Sequence, residues 1–222
     1  MSRELLASIE GYAAALEAIG KEPPPAPRWR QDWFPRLDAA AAYAIVRDTR
    51  PKKVVEVGCG HSTRFLARAV ADGGLATRIT AIDPEPRASL AGLEVRWLKQ
   101  KVQEVDITLF AALEANDILF IDSSHQLQAG SDVEHLFLRV LPSLKSGVRI
   151  HFHDIFLPAD YPREWAWRRY NEQVAVARLL DDGYAAEFSS PEALKTAELP
   201  AILARLPLEP GAIESSLWLS KR

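Results

Sequence analysis

Ionisable side chains concentrate where the short apolar runs of this sequence end. The runs end in Glu56-Val57-Gly58-Cys59-Gly60-His61, Ile82-Asp83, Ile121-Asp122-Ser123-Ser124-His125 and His151-Phe152-His153-Asp154. Four of the five histidines of the chain lie at these ends. In open sheets of parallel strands, ligands bind beyond the carboxyl ends of the strands. We therefore expect these side chains to line one rim of such a sheet and to form a ligand site there.

A turn with two glycines follows the first of these runs. Gly58 and Gly60 let the backbone turn tightly and let a ligand approach without a Cβ in the way. The turn follows a predicted strand at 53–57 and precedes a predicted helix that begins at Thr63. Asp83 ends the next predicted strand, where a carboxylate usually accepts hydrogen bonds from ribose hydroxyls. The pattern favours a nucleoside site, and a plain strand-to-helix turn is the alternative.

An NAD(P)-dependent oxidoreductase shares some of these features. Its fingerprint requires a third glycine for close helix packing, and this chain has Thr63 at that position. Glu56 also places a carboxylate where a pyrophosphate would prefer amide donors. The oxidoreductase remains an alternative, as does a non-catalytic Rossmann-like interaction module.

The segment from Glu56 to Thr63 resembles motif I of the class I S-adenosylmethionine-dependent methyltransferases. The similarity continues in order through residues 116–125, 151–158, 161–165 and 171–173. This set is similar to methyltransferase family 24, which is close to the small-molecule and sugar O-methyltransferases. The resemblance covers roughly residues 35–180. It implies methyl transfer to an oxygen, less readily to a nitrogen, of a small molecule such as a sugar or secondary metabolite.

The resemblance also implies that the cofactor, S-adenosylmethionine, lies along the loop after the first strand. The loop residues implied are Glu56, Gly58, Cys59, Gly60, Ser62 and Thr63. Glu56, Gly58 and Gly60 would line the methionine end, and Ser62 and Thr63 would offer amides or hydroxyls to the cofactor's carboxylate. Asp83 would hold the ribose. Gln103, shortly after the third predicted strand, would contact the adenine.

Asp122 and Asp154 end adjacent predicted strands, and the resemblance implies a divalent cation, usually magnesium, between them. Such a cation prefers oxygen ligands and lowers the pKa of a substrate hydroxyl. His125 follows Asp122 by three residues, a spacing at which related sugar methyltransferases carry a catalytic base. The catalytic candidates are therefore His125, Asp122 and His153.

The oxygen donors for magnesium are few in this chain. Metal-binding relatives usually carry a second acid or amide beside the aspartate of the fifth strand, and here the neighbour is His153. Imidazole and carboxylate together suit zinc or iron, which is a second alternative. A third is that Asp122 and His153 only hold loops through hydrogen bonds.

Short apolar strands alternate with helices, which predicts an α/β fold with a parallel sheet covered on both faces. We expect the Rossmann-like class I methyltransferase architecture, with seven strands in a mostly parallel sheet. The predicted strands are 53–57, 78–82, 93–98, 117–121, 148–152, 184–188 and 215–219, and the main predicted helices are 5–19, 37–47, 63–71, 131–141 and 165–180. We expect one domain over 1–222, in which 1–50 form a helical cap with an aromatic loop and 51–222 form the core.

Composition limits the classes of partner. The formal net charge of −3 gives no electrostatic basis for nucleic-acid binding, so we expect a small-molecule acceptor. No stretch approaches ~18 uninterrupted apolar residues, so no membrane span is expected. A single cysteine and the lack of a recognisable signal peptide favour a cytoplasmic protein. The sequence sets no oligomeric state, and a homodimer is one alternative.

Overall fold

The computed structural model describes residues 2–196 and 198–222. Its strands are β1 Lys53–Val57, β2 Arg78–Ile82, β3 Val95–Leu98, β4 Ile118–Ile121, β5 Arg149–Phe152, β6 Tyr184–Ser189 and β7 Leu217–Lys221. They form one seven-stranded sheet in the order β3-β2-β1-β4-β5-β7-β6. The first five strands run parallel, and β7 is antiparallel to both β5 and β6. The predicted seven-stranded, mostly parallel sheet is confirmed.

The described α-helices surround this sheet. They are α1 Ser2–Gly11, α2 Ala13–Ala18, α3 Arg36–Thr49, α4 His61–Asp72, α5 Thr108–Ala111, α6 Asp132–His135, α7 Leu141–Ser143, α8 Gln173–Asp181 and α9 Ser190–Thr196. Short 3₁₀ turns span Val102–Glu104, Arg163–Arg168 and Ala201–Ala204. A π-helical segment, Leu136–Val140, joins α6 to α7.

Alternation along the strands divides the core into two layers, because successive strand residues point to opposite faces. Val54 and Phe120 belong to the layer that contains α1, α3 and α4. Val55 and Leu119 belong to the opposite layer, with the π-helical segment and α8. Helices therefore cover both faces, as predicted, and the N-terminal helices pack in the same core as the central strands.

The predicted helix over 165–180 is wrong in its first half. The chain forms the 3₁₀ turn Arg163–Arg168, then turns through Arg169 at φ 57° before α8 begins at Gln173. The amides of Asn171 and Glu172 donate to the carbonyl oxygen of His125 at 3.0 and 3.3 Å. These amides are used across the fold and not along a helix, which a local pattern does not reveal.

Among the described residues, no helix is long and apolar enough to cross a membrane.

Candidate functional site

The register of the central strands brings four polar or flexible positions to one rim. Val57 pairs with Ile82 on one side and with Ile121 on the other, and Ile121 pairs with Phe152. The residues that follow these positions are Gly58, Asp83, Asp122 and His153. The order of the sheet reverses between β1 and β4, and ligands of open α/β sheets bind at such a reversal. The predicted clustering of these residues at one rim is confirmed.

The glycine turn needs glycine at its first position. Gly58 has φ +77°, and a Cβ there would lie 1.7 Å from the backbone oxygen of Asp122. No side chain fits such a distance, so the close approach of the two strand tips depends on this residue. A Cβ on Gly60 would meet only ordinary contacts, the nearest at 3.5 Å.

Asp83 is tied to the glycine turn by its carboxylate. Its Oδ2 accepts a hydrogen bond from the amide of Cys59 at 2.9 Å, and its Oδ1 accepts one from the amide of Glu85 at 2.7 Å. A carboxylate oxygen has more than one acceptor site, so both oxygens keep capacity for a ligand's hydroxyls. Cys59 itself is buried and unpaired, and burial raises the pKa of its thiol.

Glu56 lies under the turn and is fully buried. Its Oε1 accepts from the hydroxyl of Ser62 at 2.6 Å, while its Oε2 is buried with no hydrogen-bond partner among the described residues. Burial raises the pKa of Glu56 to about 8, against the lowering effect of the Ser62 hydrogen bond. The hydroxyl of Thr63 accepts from the amide of Gly60 at 2.9 Å. The hydroxyls of Ser62 and Thr63 are therefore engaged inside the loop.

A cavity of about 450 Å³ lies between the tips of β1, β2 and β4. Its lining includes Gly58, Asp83, Val102, Gln103 and Asp122. The side chain of Gln103 donates to the carbonyl oxygen of Gly130 at 3.2 Å, which fixes it at the wall. The structure thus brings Gln103 into the same cavity as Asp83 and the glycine turn.

Asp122 separates this cavity from a second one of about 110 Å³ and lines both. The second cavity has aromatic walls, and its lining includes Trp33, Trp165 and Tyr170. Trp33 stacks on His61 with ring centroids 5.6 Å apart and the planes 5° from parallel. A ligand in the larger cavity and a ligand in the smaller one would therefore meet at the side chain of Asp122.

Carboxylates surround the imidazole ring of His125. Its Nδ1 lies 2.8 Å from Oε2 of Glu172, and its Nε2 lies 3.2 Å from Oδ1 of Asp122. Burial alone would lower the pKa of His125, but the hydrogen bonds with Asp122 and Glu172 outweigh it and raise that pKa well above its usual value. The two carboxylates therefore favour the protonated form of the ring.

His153 completes the cluster from the tip of β5. Its Nδ1 lies 3.6 Å from Oδ1 of Asp122 and 3.5 Å from Oδ1 of Asp154. Burial opposes protonation of His153, yet the charges of Asp154 and Asp122 raise its pKa well above the usual value. Burial likewise would raise the pKa of Asp122, but the charge of His153 and the hydrogen bonds from both histidines lower it. Asp122 is therefore an ionised carboxylate.

The donor set at Asp122 and Asp154 does not fit a divalent cation. No three histidine, cysteine or acidic side chains in the described ranges are arranged to hold a metal ion. Nε2 of His125 lies between the two aspartates, 3.6 Å from Oδ2 of Asp154, and Ser215 donates to Oδ1 of Asp154 at 3.0 Å. Imidazole rings and a hydroxyl thus contact Oδ1 of Asp122 and both oxygens of Asp154, which leaves a cation only Oδ2 of Asp122 among these four oxygens.

Three residues of this site were missed as site residues by the sequence analysis. Glu172 contacts His125, and Arg168 lies 3.9 Å from Oδ2 of Asp154 with its guanidinium 4.2 Å from the ring centre of Trp165. Asp38 of α3 is buried 3.5 Å from Nε2 of His153. The only signal was the Asn171-Glu172-Gln173 block in the resemblance, which marked Glu172 without showing its partner.

Comparison with known proteins agrees with this geometry. A family model described as a methyltransferase domain, from methyltransferase family 24, matches residues 55–155. That segment begins in β1 and ends beside Asp154, so it contains the glycine turn and all four strand tips named above. No curated protein matches the chain.

Solved structures share the fold across almost the whole chain. The SAH-bound methyltransferase PaMTH1 of Podospora anserina has a TM-score of 0.55 at 17% identity, over 98% of this chain and 88% of its own. A caffeoyl-CoA O-methyltransferase candidate from Staphylococcus aureus has a TM-score of 0.52 at 14% identity, over 98% and 91%. The cofactor-bound protein Rv0187 from MTB has a TM-score of 0.51 at 15% identity, over 99% and 90%. The chain therefore shares the fold of these methyltransferase structures, and its residues 55–155 match the methyltransferase-domain model.

Proposed function

We propose that this chain transfers the methyl group of S-adenosylmethionine to an oxygen, less readily to a nitrogen, of a small molecule such as a sugar or secondary metabolite. The observation that carries the proposal is the buried, unpartnered Oε2 of Glu56 beneath a glycine turn whose neighbour, Asp83, ends the next strand. Gly58 and Asp83 line the cavity of about 450 Å³ at the reversal of the sheet order, and Glu56 is buried beneath the turn.

Glu56 suits the methionine end of this cofactor. A buried polar atom without a partner is costly unless a ligand satisfies it. The α-ammonium group of the cofactor is a donor with a positive charge, and an ionised Glu56 would accept from it. Gly58 and Gly60 would let the methionine portion pass close to the backbone, with the amides of Ser62 and Thr63 near its carboxylate. A dinucleotide pyrophosphate has no cationic donor that could pair with this carboxylate.

Asp83 and Gln103 suit the nucleoside end. The carboxylate of Asp83 is held by two backbone amides and retains acceptor capacity for the ribose hydroxyls. Gln103 and Val102 stand on the far wall of the same cavity, where the adenine would lie.

Asp122 is the residue we propose at the reacting centre. Both histidines meet its Oδ1, and among the described residues none donates a hydrogen bond to its Oδ2. Oδ2 would accept the hydroxyl of the acceptor and orient its oxygen for in-line attack. The cofactor supplies an electrophilic methyl group on a sulfonium. As the new C–O bond forms and the methyl C–S bond breaks, S-adenosylhomocysteine would leave as the neutral thioether, and the hydroxyl proton would pass to the carboxylate of Asp122.

The second cavity suits a small acceptor. Its volume is about 110 Å³, and Trp33, Trp165 and Tyr170 contribute to its walls. Aromatic faces bind the apolar face of a ring, and a few polar groups orient it. A single sugar or one small ring fits this description better than a polymer does. The net charge of −3 also gives no support to a nucleic-acid acceptor.

A calorimetric titration with S-adenosylhomocysteine and, separately, with NAD⁺ tests the proposal. We expect one S-adenosylhomocysteine site per chain and no heat from NAD⁺. The opposite pattern would support an oxidoreductase, and binding of neither by a folded protein would support an interaction module. Either of these results would overturn the proposal.

A further inference from the structure

The imidazole ring of His125 lies at the position between Asp122 and Asp154 where the family resemblance implies a metal. His125 reaches this position because the backbone turns through it in the left-handed region, at φ 58°. Its Nε2 lies 3.2 Å from Oδ1 of Asp122 and 3.6 Å from Oδ2 of Asp154. One ring nitrogen therefore faces both aspartates.

The second ring nitrogen is committed to Glu172. Nδ1 lies 2.8 Å from Oε2 of Glu172, which is fully buried. An ionised carboxylate can only accept hydrogen bonds. Because both ring nitrogens face carboxylates, both must donate, and the ring that does so is the imidazolium.

Glu172 holds His125 from two directions. Its carboxylate contacts the ring, and its backbone amide donates to the carbonyl oxygen of His125 at 3.3 Å. Its other oxygen, Oε1, accepts from the hydroxyl of Ser123 at 3.4 Å. Glu172 thus fixes the loop and the ring together, which is the arrangement of a positioning residue.

Basic side chains already surround the aspartates. The four carboxylates of Asp38, Asp122, Asp154 and Glu172 face the three basic groups of His125, His153 and Arg168. A divalent ion entering this cluster would be repelled by the imidazolium rings before it reached the oxygens. The cluster would have to lose His125 from its centre before it could bind one.

We propose that His125, positioned by Glu172, is a built-in cation that takes the place of a divalent metal between Asp122 and Asp154, so that this methyltransferase needs no metal. The inference rests on the proposed function for its catalytic meaning. Its structural content concerns only the ring, its carboxylates and the metal, and it can be tested without any methyl acceptor.

Manganese binding to the full chain, followed by electron paramagnetic resonance, tests the exchange of ring for metal. We expect the wild-type protein, with S-adenosylhomocysteine present, to leave the signal of free Mn²⁺ unchanged. His125→Ala leaves three carboxylates without their central cation, and such an oxygen-rich site binds hard cations. We therefore expect it to bind one Mn²⁺ per chain, whereas the control His135→Ala on α6 binds none.

Two results of that experiment would overturn the inference. One is stoichiometric Mn²⁺ binding by the wild-type protein that is lost in Asp154→Asn. The other is a folded His125→Ala protein that binds no Mn²⁺. Failure of the wild-type protein to bind S-adenosylhomocysteine would instead count against the proposed function. The Mn²⁺ measurement would still test the exchange of ring for metal.

Nitrogen-15 spectra of the histidine rings give a test that does not depend on the folding of His125→Ala. We expect both ring nitrogens of His125 to carry protons at neutral pH, and Glu172→Gln to remove the proton from one of them. A neutral His125 ring in the wild-type protein would overturn the inference. A merely structural Glu172 would leave the spectrum of a folded Glu172→Gln protein unchanged, and that result would overturn its positioning role.

Discussion

A Cβ on Gly58 would lie 1.7 Å from the backbone oxygen of Asp122. The tip of β1 carries the proposed cofactor turn, and the tip of β4 carries the proposed reacting carboxylate. The two tips are therefore in contact at Gly58, which has no side chain. Neighbouring tips of a parallel sheet can approach this closely only where one of them is glycine. The glycine turn thus shapes the catalytic rim as well as the cofactor cavity.

Gly58→Ala should destabilise the protein more than a glycine replacement that costs only backbone strain. Gly183 is a matched control, because it has φ +78° and no atom within 4 Å of an added Cβ. We expect Gly183→Ala to lower the free energy of unfolding by ~1–2 kcal/mol. Gly58→Ala should lose a further ~1–3 kcal/mol from overpacking. Urea denaturation measures both, and equal losses would refute the contact.

Asp83→Asn should weaken the binding of S-adenosylhomocysteine. An amide offers one acceptor oxygen in place of two, so it cannot accept from the amides of Cys59 and Glu85 and from ribose hydroxyls together. We expect the dissociation constant to rise about tenfold or more, which corresponds to ~1.4 kcal/mol.

Calorimetry measures this change against Asp106→Asn. Asp106 accepts from the amide of Thr108 and is exposed, so its replacement should leave the affinity unchanged. An unaltered affinity in Asp83→Asn would show that the ribose is held elsewhere.

Cofactor binding should release a proton through Glu56. Burial raises the pKa of Glu56 to about 8 in the free protein, so the side chain is largely protonated at pH 7. Pairing with a ligand's ammonium group favours the ionised form, so binding expels the proton. The affinity should therefore increase with pH up to about 8 and then level off.

Titrations at pH 7 in buffers of different ionisation enthalpy count the released protons. We expect close to one proton per S-adenosylhomocysteine for the wild-type protein and none for Glu56→Gln. Equal proton release by the two proteins would assign the proton to another group.

Asp38→Ala should lower the stability of the fold substantially. The carboxylate is fully buried and accepts from the amides of Ser215 and Ser216 at 2.9 and 3.0 Å. Its removal leaves both amides unsatisfied, at a cost of ~3 kcal/mol. Asp48→Ala removes an exposed carboxylate that bonds two hydroxyls and should cost only about 1 kcal/mol. Similar melting temperatures for the two variants would contradict the role given to Asp38.

The rim could be predicted from the sequence because its residues follow short apolar strands. Glu56, Asp83 and Asp122 each lie at or beside a strand end, and the parallel sheet brings those ends together. The spacing of Asp122 and His125 also placed the ring near the carboxylate, at 3.2 Å. Local periodicity predicts the strand ends, and the family resemblance implies the pairing of Asp122 with His125.

The partners that set the chemistry could not be predicted in this way. Glu172 is 47 residues from His125, and Asp38 is 177 residues from Ser215. Such contacts depend on how loops return to the rim, and no local pattern records them. The role of His125 as a base was a hypothesis based on an ordinary imidazole pKa. Its carboxylate neighbours favour the protonated ring and change which role fits it.

The crystal structure of the protein with S-adenosylhomocysteine tests the central claim most directly. We expect its ribose on the carboxylate of Asp83, its amino group beside Oε2 of Glu56 and its sulfur facing Asp122. Electron density for the ligand in any other cavity, with the rim left open at Asp83, would contradict the account.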